Sequence, residues 1–197
     1  MKKIYFTIIA ILLCAGTMLK AQSYSSLTYS MGFATGDLAD FISQTSFRGL
    51  AFDYRHTGGD NVGLGVSFAW NVFYEEKAYE TYTRGNASLT GRQFRYSNFF
   101  PMLVAGDYYF SQGDHIDPFV GLGTGVIYTL RNTDMNVYTL EEEAWNFALT
   151  PEVGLMFNGG FAESLTVVAR YNYGFAAGDL PEPQSYISLN VGFVFKQ

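Results

Sequence analysis

Few side chains in this 197-residue chain could do acid–base or nucleophilic work. There are two histidines, His56 and His115, and one cysteine, Cys14. A general base needs its nucleophile within hydrogen-bond reach, so hydrolysis or acyl transfer depends on a serine placed beside one of those histidines. Two histidines with no cysteine outside the first twenty residues make a poor donor set for a transition metal. The charged residues carry more information. Asp53, Arg55, Arg95, Asp107, Glu152 and Arg170 recur in phase with glycines and out of phase with bulky apolar residues. That pattern suits ion pairing in a confined polar space. Glu141, Glu142 and Glu143 form an acidic run whose sharpest reading is a weak divalent-cation site and whose plainest is a solvated loop.

The elements that position these charges begin after a leader. MKKIYFTIIAILLCAGTMLKA has a charged start at Lys2 and Lys3, an apolar stretch from Ile4 to Leu19 and a small residue at Ala21. Residues 1–21 read as a secretory signal and 22–197 as one domain. Cys14 falls inside the apolar stretch, behind Leu12 and Leu13, so the mature chain has no thiol chemistry and no disulfide framework. The leader takes Lys2, Lys3 and Lys20 from the 12 basic residues, leaving nine against 18 acidic ones. An acidic exported chain without a basic run excludes nucleic acid as a partner.

In VGLGVSFAWNVFY, residues 62–74, Val62, Leu64, Val66, Phe68, Trp70, Val72 and Tyr74 share one face of a strand, and the other face is small and mostly polar. Eight such segments occur, near 25–36, 47–56, 62–75, 94–110, 116–130, 145–157, 164–174 and 185–195. Each is long enough to cross a bilayer as a tilted strand. The pattern fits a soluble lipocalin-like barrel with the bulky face inward, or a membrane barrel with that face in lipid. The small face is rich in Gly, Ala, Ser and Asn instead of Lys and Glu, which favours a narrow lumen over a watery exterior.

The connections alternate long and short: 37–46, 76–93, 131–144 and 175–184 against 57–61, 111–115 and 158–163. Short periplasmic turns and long outer loops give that alternation, with both mature termini periplasmic. In this orientation Trp70, Tyr74, Tyr128, Trp145, Tyr171 and Tyr173 fall at the outer end. Tyr54, Tyr108, Phe110, Phe193 and Phe195 fall at the inner end. Two aromatic girdles follow, and lipid is placed outside. Pro101 and Pro151 stand inside strands, where a bulge is expected at one or both, or a gap in pairing that opens sideways.

The mature chain resembles the small eight-stranded outer-membrane β-barrel family of the OmpA, OmpX and OmpW type. DYYF at 107–110, PFVGLGTGVIY at 118–128, PEVG at 151–154 and the alternating final strand ISLNVGFVF at 187–195 carry the resemblance. It implies an all-β, eight-stranded antiparallel transmembrane barrel in the outer membrane of a Gram-negative-type bacterium. It also implies outer-membrane lipid and lipopolysaccharide as surroundings, and barrel-assembly machinery that reads the last strand. Some barrels resembling this one edit lipids with His, Ser and a carboxylate near the outer leaflet. Here both histidines fall at short inner turns and no serine stands with one at the outer end, so no enzyme and no cofactor is expected.

Reflection about the turn at 158–163 sets Glu152 across from Arg170, both pointing inward. A lumenal polar network of Asp53, Arg55, Arg95, Asp107, Glu152 and Arg170 is expected to fill the barrel. Three roles remain open: an envelope structural or contact protein working through 76–93 and 131–144, a conduit for small, even apolar, molecules, and a soluble ligand-binding barrel. In lipid-reconstituted protein, depth-resolved fluorescence quenching should place Trp70 and Trp145 at one shallow depth. Two clearly different depths would take one of them out of the girdle.

Overall fold

The computed structural model describes residues 22–57, 61–84, 87–112, 115–159 and 163–196; the leader, Cys14 included, lies outside them. Eight antiparallel strands follow one another around a closed ring: β1 (Gln22–Thr35), β2 (Gly49–Thr57), β3 (Val62–Arg84), β4 (Ala87–Tyr109), β5 (Ile116–Met135), β6 (Tyr138–Asn158), β7 (Glu163–Gly174) and β8 (Gln184–Lys196). β1 closes on β8 from Tyr24↔Lys196 to Thr35↔Ser185. A short helix, α1 (Asp37–Phe41), interrupts the connection from β1 to β2.

The side-chain period of two decides inside from outside. Leu27, Phe52, Leu64, Val104, Phe147 and Phe193 are exposed, as are Phe68 at 47% and Leu122 at 53%. Ser26, Asp53, Arg55, Ser67, Asp107 and Glu152, on the alternate phase, are buried. A soluble barrel would invert this arrangement, so the lipocalin-like alternative is set aside. A continuous apolar belt of this size belongs in hydrocarbon. Along its outer rim Trp70 stacks on Phe100 (6.1 Å), Phe100 meets Tyr128 (6.1 Å), and Tyr128 meets Trp145 (4.9 Å). Tyr171, Tyr173 and Phe175 continue the outer band, and Tyr108 packs edge-on against Phe110 at the inner end.

Two expectations change. Most of 76–93 and 131–144 is paired strand instead of loop: β3 pairs with β4 as far as Arg84↔Ala87, and β5 with β6 as far as Met135↔Tyr138. With β4 and β5 paired up to Gln93↔Met135, a four-stranded sheet rises above the girdle. From Tyr74 to Arg84 it extends on the order of 30 Å. Only Asn136 and Val137 separate β5 from β6, and Asn136 takes the positive φ (54°) that a tight hairpin turn requires.

The prolines, secondly, produce no bulge. Pairing lapses between Phe68↔Met102 and Asn71↔Phe99 beside Pro101, and between Leu149↔Tyr173 and Glu152↔Arg170 beside Pro151. The register is the same on both sides of each lapse. The missing N–H removes local bonds without shifting the strand, because the opposite neighbours, Ile127 and Leu122, stay in register. The register shift between β3 and β4 lies in the outer sheet, between Lys77 and Glu80.

Leu122→Arg, at the middle of the belt, should lower stability in lipid vesicles by about 2–4 kcal/mol in urea titrations. Tyr79→Arg, exposed on the outer sheet, should change it by less than about 0.5 kcal/mol. Equal effects at the two sites would contradict the placement of the bilayer.

Candidate functional site: the filled lumen and the outer mouth

Small residues on the lumenal face make room for large ones from other strands. A Cβ at Gly32 would lie 2.6 Å from the ring of Phe73, and one at Gly121 would meet both Asp107 and Glu152. Into that space β2, β4, β6 and β7 send five charges. Arg55 Nε donates to Asp107 Oδ2 at 2.6 Å, and its Nη2 donates to Glu152 Oε1 and Ser67 Oγ, both at 3.0 Å. Arg170 Nε donates to Glu152 Oε2 at 2.5 Å and its Nη2 to Asp53 Oδ1 at 2.8 Å. Ser26 Oγ donates to the other Asp53 oxygen at 3.2 Å. Glu152 and Arg170 are direct cross-strand partners.

All five charged side chains are buried, each no more than 7% exposed. Three carboxylates and two guanidiniums form an open chain of charge-assisted bonds, Asp107–Arg55–Glu152–Arg170–Asp53, with Asp107 Oδ1 left without a hydrogen-bond partner among the described residues. The void among them is about 10 Å³, which is barely one water's worth. Tyr24 and Tyr109, hydroxyl to hydroxyl, seal the side toward the termini together with Phe119, Met156, Val168 and Val194.

Arg95 does not belong to this network. It sits higher, half-buried at the outer mouth, where its Nε donates to Gln93 Oε1 at 2.7 Å and its Nη1 to the carbonyl of Phe41 at 2.8 Å. What separates it from the other five is an apolar layer that the sequence reading did not anticipate. Leu38 from α1 and Ile42 just after it dip into the mouth and pack with Phe73, Phe99, Ile127 and Tyr186, all fully buried. Phe73, Phe99 and Tyr186 form a triangle of rings with centroids 5.0–5.6 Å apart. Part of the signal was present: Phe73 and Phe99 fall on the otherwise small, polar phase. The contribution of α1 carries no local periodicity and was not legible.

The aromatic residues assigned to girdles all lie on the outward phase. Tyr54 donates to Ser23 Oγ at 3.2 Å. Tyr74 lies beneath Arg48, whose guanidinium carbon is 5.8 Å from the ring centroid, and packs on Tyr96 at 4.9 Å. Of the histidines, His56 accompanies Ser23, Oγ to Nδ1 at 3.0 Å, at the end of the barrel that carries the termini. Among the described residues no carboxylate lies within ion-pair distance of that ring, so the pair lacks a third member to orient it. His115 stands at the turn before β5, its carbonyl accepting from the Asn158 amide at 3.0 Å. No cluster of three or more metal-ligating side chains occurs among the described residues, and Glu141 to Glu143 alternate faces along β6.

No family profile matches this chain, and no curated protein matches it. Solved structures do. The attachment invasion locus protein Ail of Yersinia pestis, in complex with the heparin analogue sucrose octasulfate, aligns at TM-score 0.56 and 16% identity, over 90% of this chain and 100% of that one. Neisserial surface protein A aligns at 0.53 and 14%, over 90% and 98%. The outer membrane protein AlkL, solved in DMPC bilayers, aligns at 0.51 and 17%, over 92% of each chain. The chain has the fold of the small eight-stranded outer-membrane β-barrels.

Arg170→Met would strand Glu152 and Asp53 beside a single guanidinium. It should cost about 3–5 kcal/mol of unfolding free energy in detergent or vesicles. Adding Glu152→Gln should recover part of that loss, because the orphaned charge is the larger penalty. Strict additivity of the two substitutions would mean that the residues do not interact.

Proposed function

We propose that this protein is an integral outer-membrane barrel with both mature termini on the periplasmic side. Its lumen is a sealed, non-catalytic support, and its outward sheet and loops carry an envelope structural or contact role. The double seal is the observation that carries the reading. A polar layer with no room for a water file lies below an apolar layer closed by α1. Neither layer alone leaves an aqueous path, and together they make the interior a scaffold. The projecting sheet is the largest feature outside the belt, in the position where a membrane-anchored protein meets other molecules. The Ser23–His56 pair supports no lipid-editing reading, since it faces the terminus-bearing end and has no orienting carboxylate. Lipid and lipopolysaccharide around the belt, and assembly machinery during insertion, fit the surface pattern. A contact role for 76–93 and 131–144 now means a paired sheet instead of two loops.

A conduit for small molecules is the second reading. A 430 Å³ notch beside Ser46, Arg48, Val72 and Tyr74, where β2 stops and β3 continues, favours it. Ser46 bridges to Gly32 in both directions at 2.8 Å and closes the notch toward the lumen.

Purified protein in planar bilayers should show no steady conductance, and incubation with phospholipid should release no fatty acid and transfer no acyl chain. A large steady current, or lipid turnover lost on His56→Ala, would overturn the sealed, non-catalytic reading.

A further inference from the structure

Above the apolar layer, the inner face of the projecting sheet and the 179–182 segment enclose a cleft of about 670 Å³, within the usual size of small-molecule sites. Its floor and its walls differ in chemistry. The Phe41 ring forms the floor between two guanidiniums, with Arg131 at 4.1 Å and Arg95 at 4.8 Å from the ring centre. The walls carry Leu89, Met135 and Leu140 from three different strands, interleaved with the polar Thr83, Gln93, Thr133 and Thr139. Three carboxylates, Glu142, Asp179 and Glu182, line the same cleft.

Arg95 is the residue that asks for a ligand. No carboxylate lies within 4.0 Å of it among the described residues, although Glu75 is its cross-strand partner. Glu75 is engaged elsewhere, by Lys77 Nζ at 2.7 Å and by the amide and hydroxyl of Ser43. Two of the five Arg95 N–H groups have partners; the other three have none among the described residues. Burial pulls this guanidinium below its usual pKa, with Glu75 and Tyr82 acting the other way. An anion beside it would offset that loss of solvation.

We propose that the cleft binds single-chain amphiphiles ending in one carboxylate, the head at Arg95 and the tail along Leu89, Met135 and Leu140. The three acidic residues set the charge limit, because a ligand with several negative charges would face them as well as the two arginines. The inference rests on the reading that the outer sheet is the working part of the molecule, and it fails separately. A silent barrel that ignores carboxylates would keep that reading and lose this ligand.

Protein in lipid nanodiscs can be titrated with carboxyl-labelled octanoate and followed by NMR, with empty nanodiscs subtracted. Octanol and octyltrimethylammonium serve as the neutral and cationic probes. Octanoate should saturate one site, octanol should bind at least about tenfold more weakly, and the cation should not bind. Arg95→Gln should weaken octanoate by about tenfold or more and leave octanol unchanged, while Arg95→Lys keeps part of the affinity. Leu140→Glu, a second variant away from Arg95, should also abolish octanoate binding. Arg92→Gln should have no effect, since Arg92 is paired with Glu76 on the other face of the sheet. Heat-modifiable gel mobility establishes that each variant is folded. Equal affinity for octanoate and octanol, an octanoate signal no larger than in empty discs, or unchanged binding in Arg95→Gln and Leu140→Glu would overturn the proposal. Displacement of octanoate by sucrose octasulfate would overturn the single-charge limit.

Discussion

A strand that crosses hydrocarbon cannot leave its backbone N–H and C=O groups unpaired, because no water is there to take them. The β1–β8 seam follows from that constraint, and the rest of the molecule follows from the seam. Closing eight strands fixes a narrow interior, and the period of two then sorts every residue into oil or lumen. Phe68 and Leu122 face outward for the same reason that Arg55 and Glu152 face inward. The two prolines mark how much imperfection such a ring tolerates. Each removes a short piece of ladder on one side while the other side holds register. Beside Pro101 the lapse is roofed by Trp70 stacked on Phe100.

Burying five charges in so small a space is expensive unless each is matched. The lumen goes most of the way to that condition by sharing two guanidiniums among three carboxylates: Arg55 reaches Asp107, Glu152 and Ser67, and Arg170 ties Glu152 to Asp53. These residues come from β2, β4, β6 and β7, with Ser67 from β3. The network therefore ties opposite walls of the ring together, and a slip of one residue in any of those strands would turn its charge into lipid. Ion pairing here selects one register among those that the apolar pattern alone would allow.

The parts of this architecture that were legible in sequence are those written in the apolar phase. Strand count, inside and outside, the aromatic bands and the Glu152–Arg170 register are all set by alternation against lipid or by reflection about a short turn. Where lipid ends, the signal ends. Most of 76–93 and 131–144 is paired strand, but with water on both faces it has no reason to alternate, and Glu76, Lys77 and Glu80 read as loop. Arg95 shares the phase of the lumenal charges, and phase alone cannot report height along the axis. The apolar layer was hidden for another reason. Phe73 and Phe99 need Leu38 and Ile42 to complete it, and those come from a five-residue helix and the residue that caps it, a segment with no pattern of its own.

The two seals differ in what would open them. The polar layer is rigid because its members are mutually paired and belong to the wall itself, so opening it means breaking several charge-assisted bonds at once. The apolar layer depends on α1, a short segment between two strands, whose withdrawal would expose Phe73, Phe99 and Tyr186 but leave the lower layer intact. Any path through the barrel therefore needs two unrelated events, one electrostatic and one hydrophobic. A ligand reaching the cleft above α1 needs neither. The constraint that closes the ring also fills it, and it ends where the strands leave the lipid and are free to carry polar and apolar residues on either face.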